Sequence, residues 1–496
     1  MWPERVYSFL PIPLQNLGTS VKGWQLHRAR YHSASFQQMA QTLARNEQLS
    51  PEALTELQFS MFQEFAAYCC ARSPYYRNLW KTQGIQPGDI RRAEDIRLIP
   101  VARKQDLRSR FDEFLTQAIG RQMTAVHTSG TTGSPLTVYF SADDIGRRYA
   151  FLDRCRRWAG VGIGQKRASF TGRNLIPQRQ TGPPFWRHNY PGNQLLFSSY
   201  HLSRQNLPAY VEALERFQPE IIDGYPSALH IVADHILHGK NVCGVRRLRP
   251  RAILVSAETV FPHQRETIEA AFQAKLYNQY ASSDGAPFVS ECDHGQLHVH
   301  VDSGLIEILD DNGRPTPPGQ VGQMVVTSFT THVVPMLRFE IGDAAVPSER
   351  STPCRCGLTF PVVEAIVGRS DDILCTPDRG LVGRMDTVFK SVPSTIIEAQ
   401  IIQTSADTIV LRIVADREAY KIEHGGKVVA EMRKKLGDVV IIRLEEVESI
   451  PRAPNGKLRA VVNLCNDLLP SAFQGSPASH PLSSATHREP NPVLAD

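Results

Sequence analysis

The chain has 496 residues, nine cysteines and a net charge of +5 from 55 basic and 50 acidic groups. At roughly 100 to 200 residues per domain this length allows two to four folding units. With 42% hydrophobic and 21% charged residues the composition is that of an ordinary globular chain, which excludes a fibrous repeat and a wholly disordered protein.

The basic excess is spread rather than clustered, so nucleic acid is not an expected partner. No stretch approaches the ~18 consecutive apolar residues of a membrane helix, so no membrane span is expected. Near the N-terminus, an apolar segment is interrupted by Pro11 and Pro13 and lacks a basic stretch ahead of it, which argues against a secretory signal. An odd number of cysteines without a regular framework points to a reducing compartment, the cytoplasm.

Residues 1 to about 120 are expected to be mainly helical, with apolar positions at three- and four-residue spacing through Leu54, Leu57, Met61, Phe62 and Phe65. From Gln122 the sequence MTAVHTSGTTGSPLTVYF predicts a strand, a Gly/Ser/Thr-rich loop and a second strand. Between residues 208 and 281 strands and helices alternate, from AYVEALERF and EIIDGY to AKLYNQYA. That rhythm predicts a doubly wound parallel sheet with ligands at the carboxyl ends of its strands, near Gly224 to Ser227, Ser256 to Glu258 and Tyr280 to Asp284. A β-rich stretch follows, with two strands about an Asp-Asn-Gly turn. The fold class is therefore α/β: a large N-terminal domain with doubly wound mixed sheets and a β-rich subdomain over 1–368, a small mobile α+β domain over 369–465, and a Pro/Ser/Ala-rich tail over 466–496 expected to be disordered.

Four segments have the chemistry of a nucleotide site. Thr128 to Pro135 combines glycines, which let backbone N–H groups approach a ligand, with hydroxyls that donate to phosphate oxygens. No Gly-Lys-Ser/Thr follows it, so it is not a Walker A loop, and a hydroxyl-rich hairpin turn would look the same. Tyr280 to Gly285 offers a ring for a base, hydroxyls for a phosphate and, in Asp284, a carboxylate for Mg²⁺. Phe339 to Asp343 ends in a carboxylate able to take both ribose hydroxyls, or merely to cap a turn. Lys457, in PNGK, lies on a loop at the end of the small domain, where an ordinary solvated lysine is the usual reading.

In this order the motifs resemble those of the adenylate-forming superfamily of acyl-CoA synthetases, nonribosomal-peptide adenylation domains and luciferases. LPIPLQN, SPYYR, ECDHGQLHVH, CRCG and GRSDDILCTPDRG make the likeness strongest to the phenylacetate-CoA ligase branch and its CapK-type polysaccharide biosynthesis members, over roughly residues 1 to 465. The resemblance implies that Ser129, Gly130, Thr131, Thr132 and Gly133 hold the ATP phosphates. It further implies that Ser256, Ala257 and Glu258 line the adenine, that Tyr280 stacks on it, and that Ser283 meets the α-phosphate. Asp284 would bind Mg²⁺, Asp343 the ribose and Arg369 the nucleotide, with Asp371 as hinge and Lys457 as catalytic lysine. Three departures stand out: Ser134 and Leu136 flank Pro135 where the family usually has a lysine, Asp284 replaces Glu, and LCTPDRG replaces a Lys-Arg-Gly run, which puts CoA as acceptor in question.

Cys292, Cys354, Cys356 and one histidine, His298, make a Cys₃His set suited to structural Zn²⁺, with His294 and His300 in reserve; metal-free buried thiols are the other reading. The expected activity is ATP-dependent adenylation of a carboxylic acid, followed by transfer to CoA or a carrier protein. A catalytically degenerate nucleotide-binding scaffold of a biosynthetic complex is the alternative, and a zinc-stabilised nucleic-acid module rests only on a pI near 8.7 and the cysteine pair.

Overall fold

A computed structural model describes residues 7, 9–120, 122–127, 137–173, 175–177, 180–203, 205–238, 248–282, 284–349, 354–369, 374–377, 380–382, 385, 395–452 and 458–465. The helical start is as expected: α1 (Ile12–Tyr31), α2 (Ala34–Asn46), α3 (Pro51–Arg72) and α4 (Pro74–Gln83) follow one another. Ser33 and Ser50 cap α2 and α3 by accepting the Phe36 and Ala53 backbone N–H groups at 3.2 Å.

α1 reverses the usual arrangement of a surface helix. Its buried side chains are Gln15, Thr19 and Ser20, whereas Leu14, Leu17, Val21 and Trp24 face outward. The reason lies in what it covers. Strand β4 (Trp186–Asn189) is the last strand of the main sheet and would otherwise leave backbone groups unpaired. Ser20 Oγ donates to His188 O at 3.2 Å and accepts from Tyr190 N at 3.2 Å, while Asn16 Oδ1 accepts from His188 N at 3.0 Å. Polar helix side chains thus stand in for a neighbouring strand.

The hydroxyl-rich loop is flanked by β1 (Thr124–His127) and β2 (Thr137–Phe140), paired antiparallel as expected. Helix α5 (Ala142–Trp158) follows, opened by a Ser141/Asp144 capping box. Then come β3 (Arg167–Thr171), β4 and β5 (Gln194–Ser198). Next is the alternating stretch: α6 (Leu207–Phe217), β6 (Ile221–Gly224), α7 (Pro226–His238), β7 (Ala252–Ser256), α8 (Pro262–Phe272) and β8 (Leu276–Tyr280). Strands β5, β3, β6, β7 and β8 are parallel neighbours, and the apolar runs LLF in β5 and AILV in β7 suit strands covered on both faces.

The β-rich region continues this sheet through β9 (Val289–Glu291), β10 (Leu297–Val299), β11 (Gly304–Leu309), β12 (Gly322–Ser328), β13 (Phe339–Pro347) and β14 (Val362–Arg369). The result is a twelve-stranded mixed sheet in the order β11-β12-β13-β14-β10-β9-β8-β7-β6-β3-β5-β4. Two short strands, β15 (Leu374–Thr376) and β16 (Gly380–Val382), pair as a ribbon. A separate four-stranded sheet holds β17 (Ile396–Ser405), β18 (Thr408–Ala415), β19 (Ile441–Glu446) and β20 (Val461–Asn463), with α9 (Ile422–Leu436) packed on it. The core of this smaller unit includes Leu411, Met432 and Leu436, and also Phe261 from the large body, 4% exposed. Burying that ring contributes about 2 kcal/mol to holding the two units together. No helix among the described residues is long and apolar enough to cross a membrane.

Candidate functional site

The parallel strands β6, β7 and β8 end side by side, and each hands over to one of the singled-out segments. After β6, Gly224 lies so close to β3 that a Cβ there would stand 2.4 Å from Phe170 O, which explains a glycine at this strand end. After β7, Ala257 adopts φ 74°, a left-handed conformation that is costly for a residue with a Cβ and that concentrates at functional turns.

Glu258, next in sequence, accepts the Ser227 N–H at 3.1 Å and the Leu458 N–H at 2.7 Å. The second donor belongs to the small unit and is the residue directly after Lys457. Burial raises the Glu258 pKa, and the bonds from Ser227 and Leu458 act against that shift. The residue expected to line the adenine is therefore also a contact between the two units.

After β8 the Tyr280 hydroxyl donates to Asp343 Oδ2 at 2.6 Å, joining the end of β8 to β13. Asp284 is 3% exposed and lies 3.7 Å from Lys104 Nζ. Lys104 also packs against Gly342, whose φ of 74° puts any Cβ within 3.1 Å of the ammonium nitrogen. The lysine is held there because Ala102 forms a parallel bridge to Phe339 at the start of β13, donating to Arg338 O and accepting from Glu340 N, both at 2.9 Å. Below the patch, the buried Arg148 of α5 donates to the backbone oxygens of Gly285 (2.9 Å) and Ser282 (3.1 Å), bracing the turn after β8. Burial lowers the Arg148 pKa to about 10.

Tyr280, Asp284 and Asp343 are thus brought into one patch with Lys104, at the carboxyl end of the parallel strands, with Ser256 beside them through the Ser256–Gln279 register. Lys104 was not anticipated from sequence. Its signal was an isolated lysine ahead of an Asp-Leu-Arg run, and only the long-range Ala102 bridge gives it a role. Ser129, Gly130, Thr131, Thr132, Gly133, Ser283, Asp371 and Lys457 lie outside the described residues. Arg369 closes β14 opposite Asp343, and its side chain is likewise outside them.

The metal-donor candidates meet at a corner of the same sheet. One ligand atom each from Cys292, His298, Cys354 and Cys356 lies within 4.8 Å of all the others. Cys292 Sγ is 3.8 Å from Cys354 Sγ, and Cys356 Sγ is 3.4 Å from His298 Nε2. His298 Nδ1 lies 2.8 Å from Phe360 O; donating there leaves the Nε2 lone pair facing the thiols. Backbone N–H groups of His294 and Leu358 donate to Cys292 and Cys356 sulfurs at 3.4 Å. His300 points elsewhere: its Nδ1 accepts from Arg154, which is itself paired with Asp302 at 2.6 Å. His294 is about half exposed and stands apart from the four.

Comparison with known proteins places this geometry. The structure superposes on 2-hydroxyisobutyryl-CoA ligase in its postadenylation state with a TM-score of 0.66 and 20% identity, covering 86% of this chain and 92% of that one. Phenylacetate-coenzyme A ligase of Thermus thermophilus is 26% identical over 84% of this chain and 98% of its own length. The fold is that of the adenylate-forming superfamily. Within it, Protein CapK of Staphylococcus aureus is 33% identical over 92% of this chain and 98% of its own length, and residues 374–464 match the CapK C-terminal domain. The chain belongs to the CapK family.

Proposed function

We propose that the chain is an ATP-dependent, AMP-forming acid ligase, and that the observation supporting this best is the patch of Tyr280, Asp343, Asp284 and Lys104 at the strand ends. In the proposed reaction a carboxylate oxygen of the acid attacks the α-phosphorus of ATP. The bond from that phosphorus to its bridging oxygen breaks, and pyrophosphate leaves as the acyl-AMP forms. An acceptor, CoA or a carrier thiol, then displaces AMP.

Both reactants of the first step are anionic, so positioning and charge neutralisation do most of the work. Asp343, fixed by the Tyr280 hydroxyl, presents a carboxylate to the ribose, and Ser256 to Glu258 flank the base. Asp284 is a buried hard-oxygen donor of the kind that Mg²⁺ takes, and Lys104 beside it supplies a cation. That cation offsets the lysine absent beside Pro135. We assign the phosphates to Ser129–Gly133 and Ser283, the nucleotide contact at the junction to Arg369, the hinge to Asp371 and the approaching cation to Lys457. Residues 1–368 would form the body, 369–465 the moving unit and 466–496 a tail.

The Cys292, His298, Cys354 and Cys356 donors fit a structural Zn²⁺: three thiols and an imidazole with its tautomer set by Phe360. Pyrophosphate exchange over a panel of aromatic, fatty and amino acids tests the main reading. ATP-dependent exchange with at least one acid is the expected result, and background exchange with every acid despite ATP binding would favour a scaffold instead.

A further inference from the structure

Helix α1 seals the sheet margin with its polar side, which leaves its outer side to be explained. Leu14, Leu17, Val21 and Trp24 recur at three- and four-residue spacing and so share one face, with Phe9 and Ile12 just ahead of them. These are six of the fourteen markedly exposed large apolar side chains among the described residues, from Ile12 at 37% to Phe9 at 72%. Tyr190, 66% exposed, adds a ring at the same margin, because its backbone N–H bonds to Ser20 of α1. Ser20 and Asn16 already fasten the helix to β4 from the polar side. Apolar side chains gathered in this way mark a docking surface, whereas single exposed ones need no explanation.

Charge selects what docks. From Arg5 to Asn46 the chain has no Asp or Glu but five basic residues, Arg5, Lys22, Arg28, Arg30 and Arg45, an excess equal to the net +5 of the entire chain. Arg28 stands at the end of the apolar face, its guanidinium 5.8 Å from the centre of the Trp24 ring. Among the described residues no carboxylate is within salt-bridge distance of Lys22 or Arg28.

A second copy of the chain fits this face poorly. A twofold contact sets the same patch against itself, and here that would press two basic helices together with no acid on either to pair them. The strip is also narrow: from Ile12 to Trp24 it is about 18 Å long and one helix wide, roughly 200 Å² against the ~800 Å² that each partner of a stable pair buries. A bilayer surface demands neither an acid nor a broad footprint. An apolar helix face bearing Trp sinks into the boundary between headgroups and acyl chains, while lysine and arginine beside it meet the lipid phosphates.

We propose that the face from Phe9 to Trp24 is a peripheral membrane anchor that docks the body on a bilayer of anionic phospholipid, with α1 lying in the plane of the surface. Such docking is independent of the adenylation reading.

The test is flotation of the full chain with vesicles of phosphatidylcholine alone or with about 40% phosphatidylglycerol. The chain should float with the anionic vesicles, and do so more weakly with the neutral ones and at high salt. Leu17→Ser combined with Trp24→Ser should weaken binding tenfold or more while the melting temperature stays within a degree or two, since neither side chain is buried. Lys22→Gln with Arg28→Gln should cost about tenfold on anionic vesicles alone, and this pair decides the matter if the apolar pair unfolds the chain. No flotation of the wild type, equal flotation with both compositions, or flotation that both double variants leave intact overturns the proposal. A wild type that ignores vesicles but sediments as a dimer, and becomes monomeric with Leu17→Ser and Trp24→Ser, also overturns it and assigns the face to a second copy.

Discussion

The thiol corner and the strand-end site occupy one sheet, yet they are built on opposite plans. In the corner, β9, β10 and β14 are hydrogen-bonded neighbours, and their register alone brings Cys292 and His298 to the CRCG turn before β14. Nothing has to move for four donors to meet. The strand-end patch draws Tyr280 from β8, Asp343 from β13 and Lys104 from a segment bridged to β13, and the small unit touches the edge of the site through Leu458 and Glu258. A preassembled corner suits a structural ion, whereas a site divided between two units suits a reaction whose steps need different neighbours.

Substitutions can break that contrast. Lys457→Ala is expected to lower pyrophosphate exchange by about 100- to 1000-fold, the scale for losing a transition-state charge donor, while the melting temperature stays within a degree or so. Cys356→Ser should do the reverse: bound zinc, measured by metal analysis of protein purified without added metal, falls from one equivalent toward none. The melting temperature then drops by several degrees, each kcal/mol lost being worth about 2–4 °C in a chain of this kind. If both variants lost activity and stability together, the two regions would not be separable.

Tyr280→Phe removes only the hydroxyl bonded to Asp343. A neutral donor to a carboxylate is worth about 1.5 kcal/mol or more, so KM for ATP should rise roughly tenfold with kcat little changed in steady-state assays. A further effect, on stability alone, concerns pH. His230 is buried at the seam with Ile397 and Glu398, and burial lowers its pKa to about 3. Between that value and its ordinary one near 6.5 the unfolded chain binds the proton and the folded chain does not, so stability is full above about pH 6.5 and falls on acidification. At pH 5 the loss attributable to this group is about 2 kcal/mol, and His230→Gln should flatten the melting-temperature profile between pH 7 and 5.

Much of this was legible because it is local. The apolar run AILVS defines β7, the alternation with helices defines β6 and β8, and the Cys/His spacing around LHVH and CRCG named the four corner donors. Lys104 was not legible, because its partner Asp284 lies 180 positions further along the chain (284 − 104) and the contact depends on a single bridge at Ala102. The Glu258 bond to Leu458 is of the same kind: a carboxylate meeting a backbone group leaves no pattern in the sequence. Strand β17 escaped because its run, IIEAQIIQTS, interrupts its apolar residues with Glu and Gln, and Gln403 is buried by bonds to the backbone oxygen of Cys375.

α1 would mislead any reading based on amphipathicity, since its dry side is the polar one. It serves as a sealant for a β-sheet margin, doing with Asn16 and Ser20 what another strand would do with peptide groups. Shortening the protein beyond Tyr31 would therefore remove more than a helix. It would uncover the His188 backbone and convert the margin into a template for strand addition, so a truncated chain should self-associate through β4 even though its core residues are all still in place.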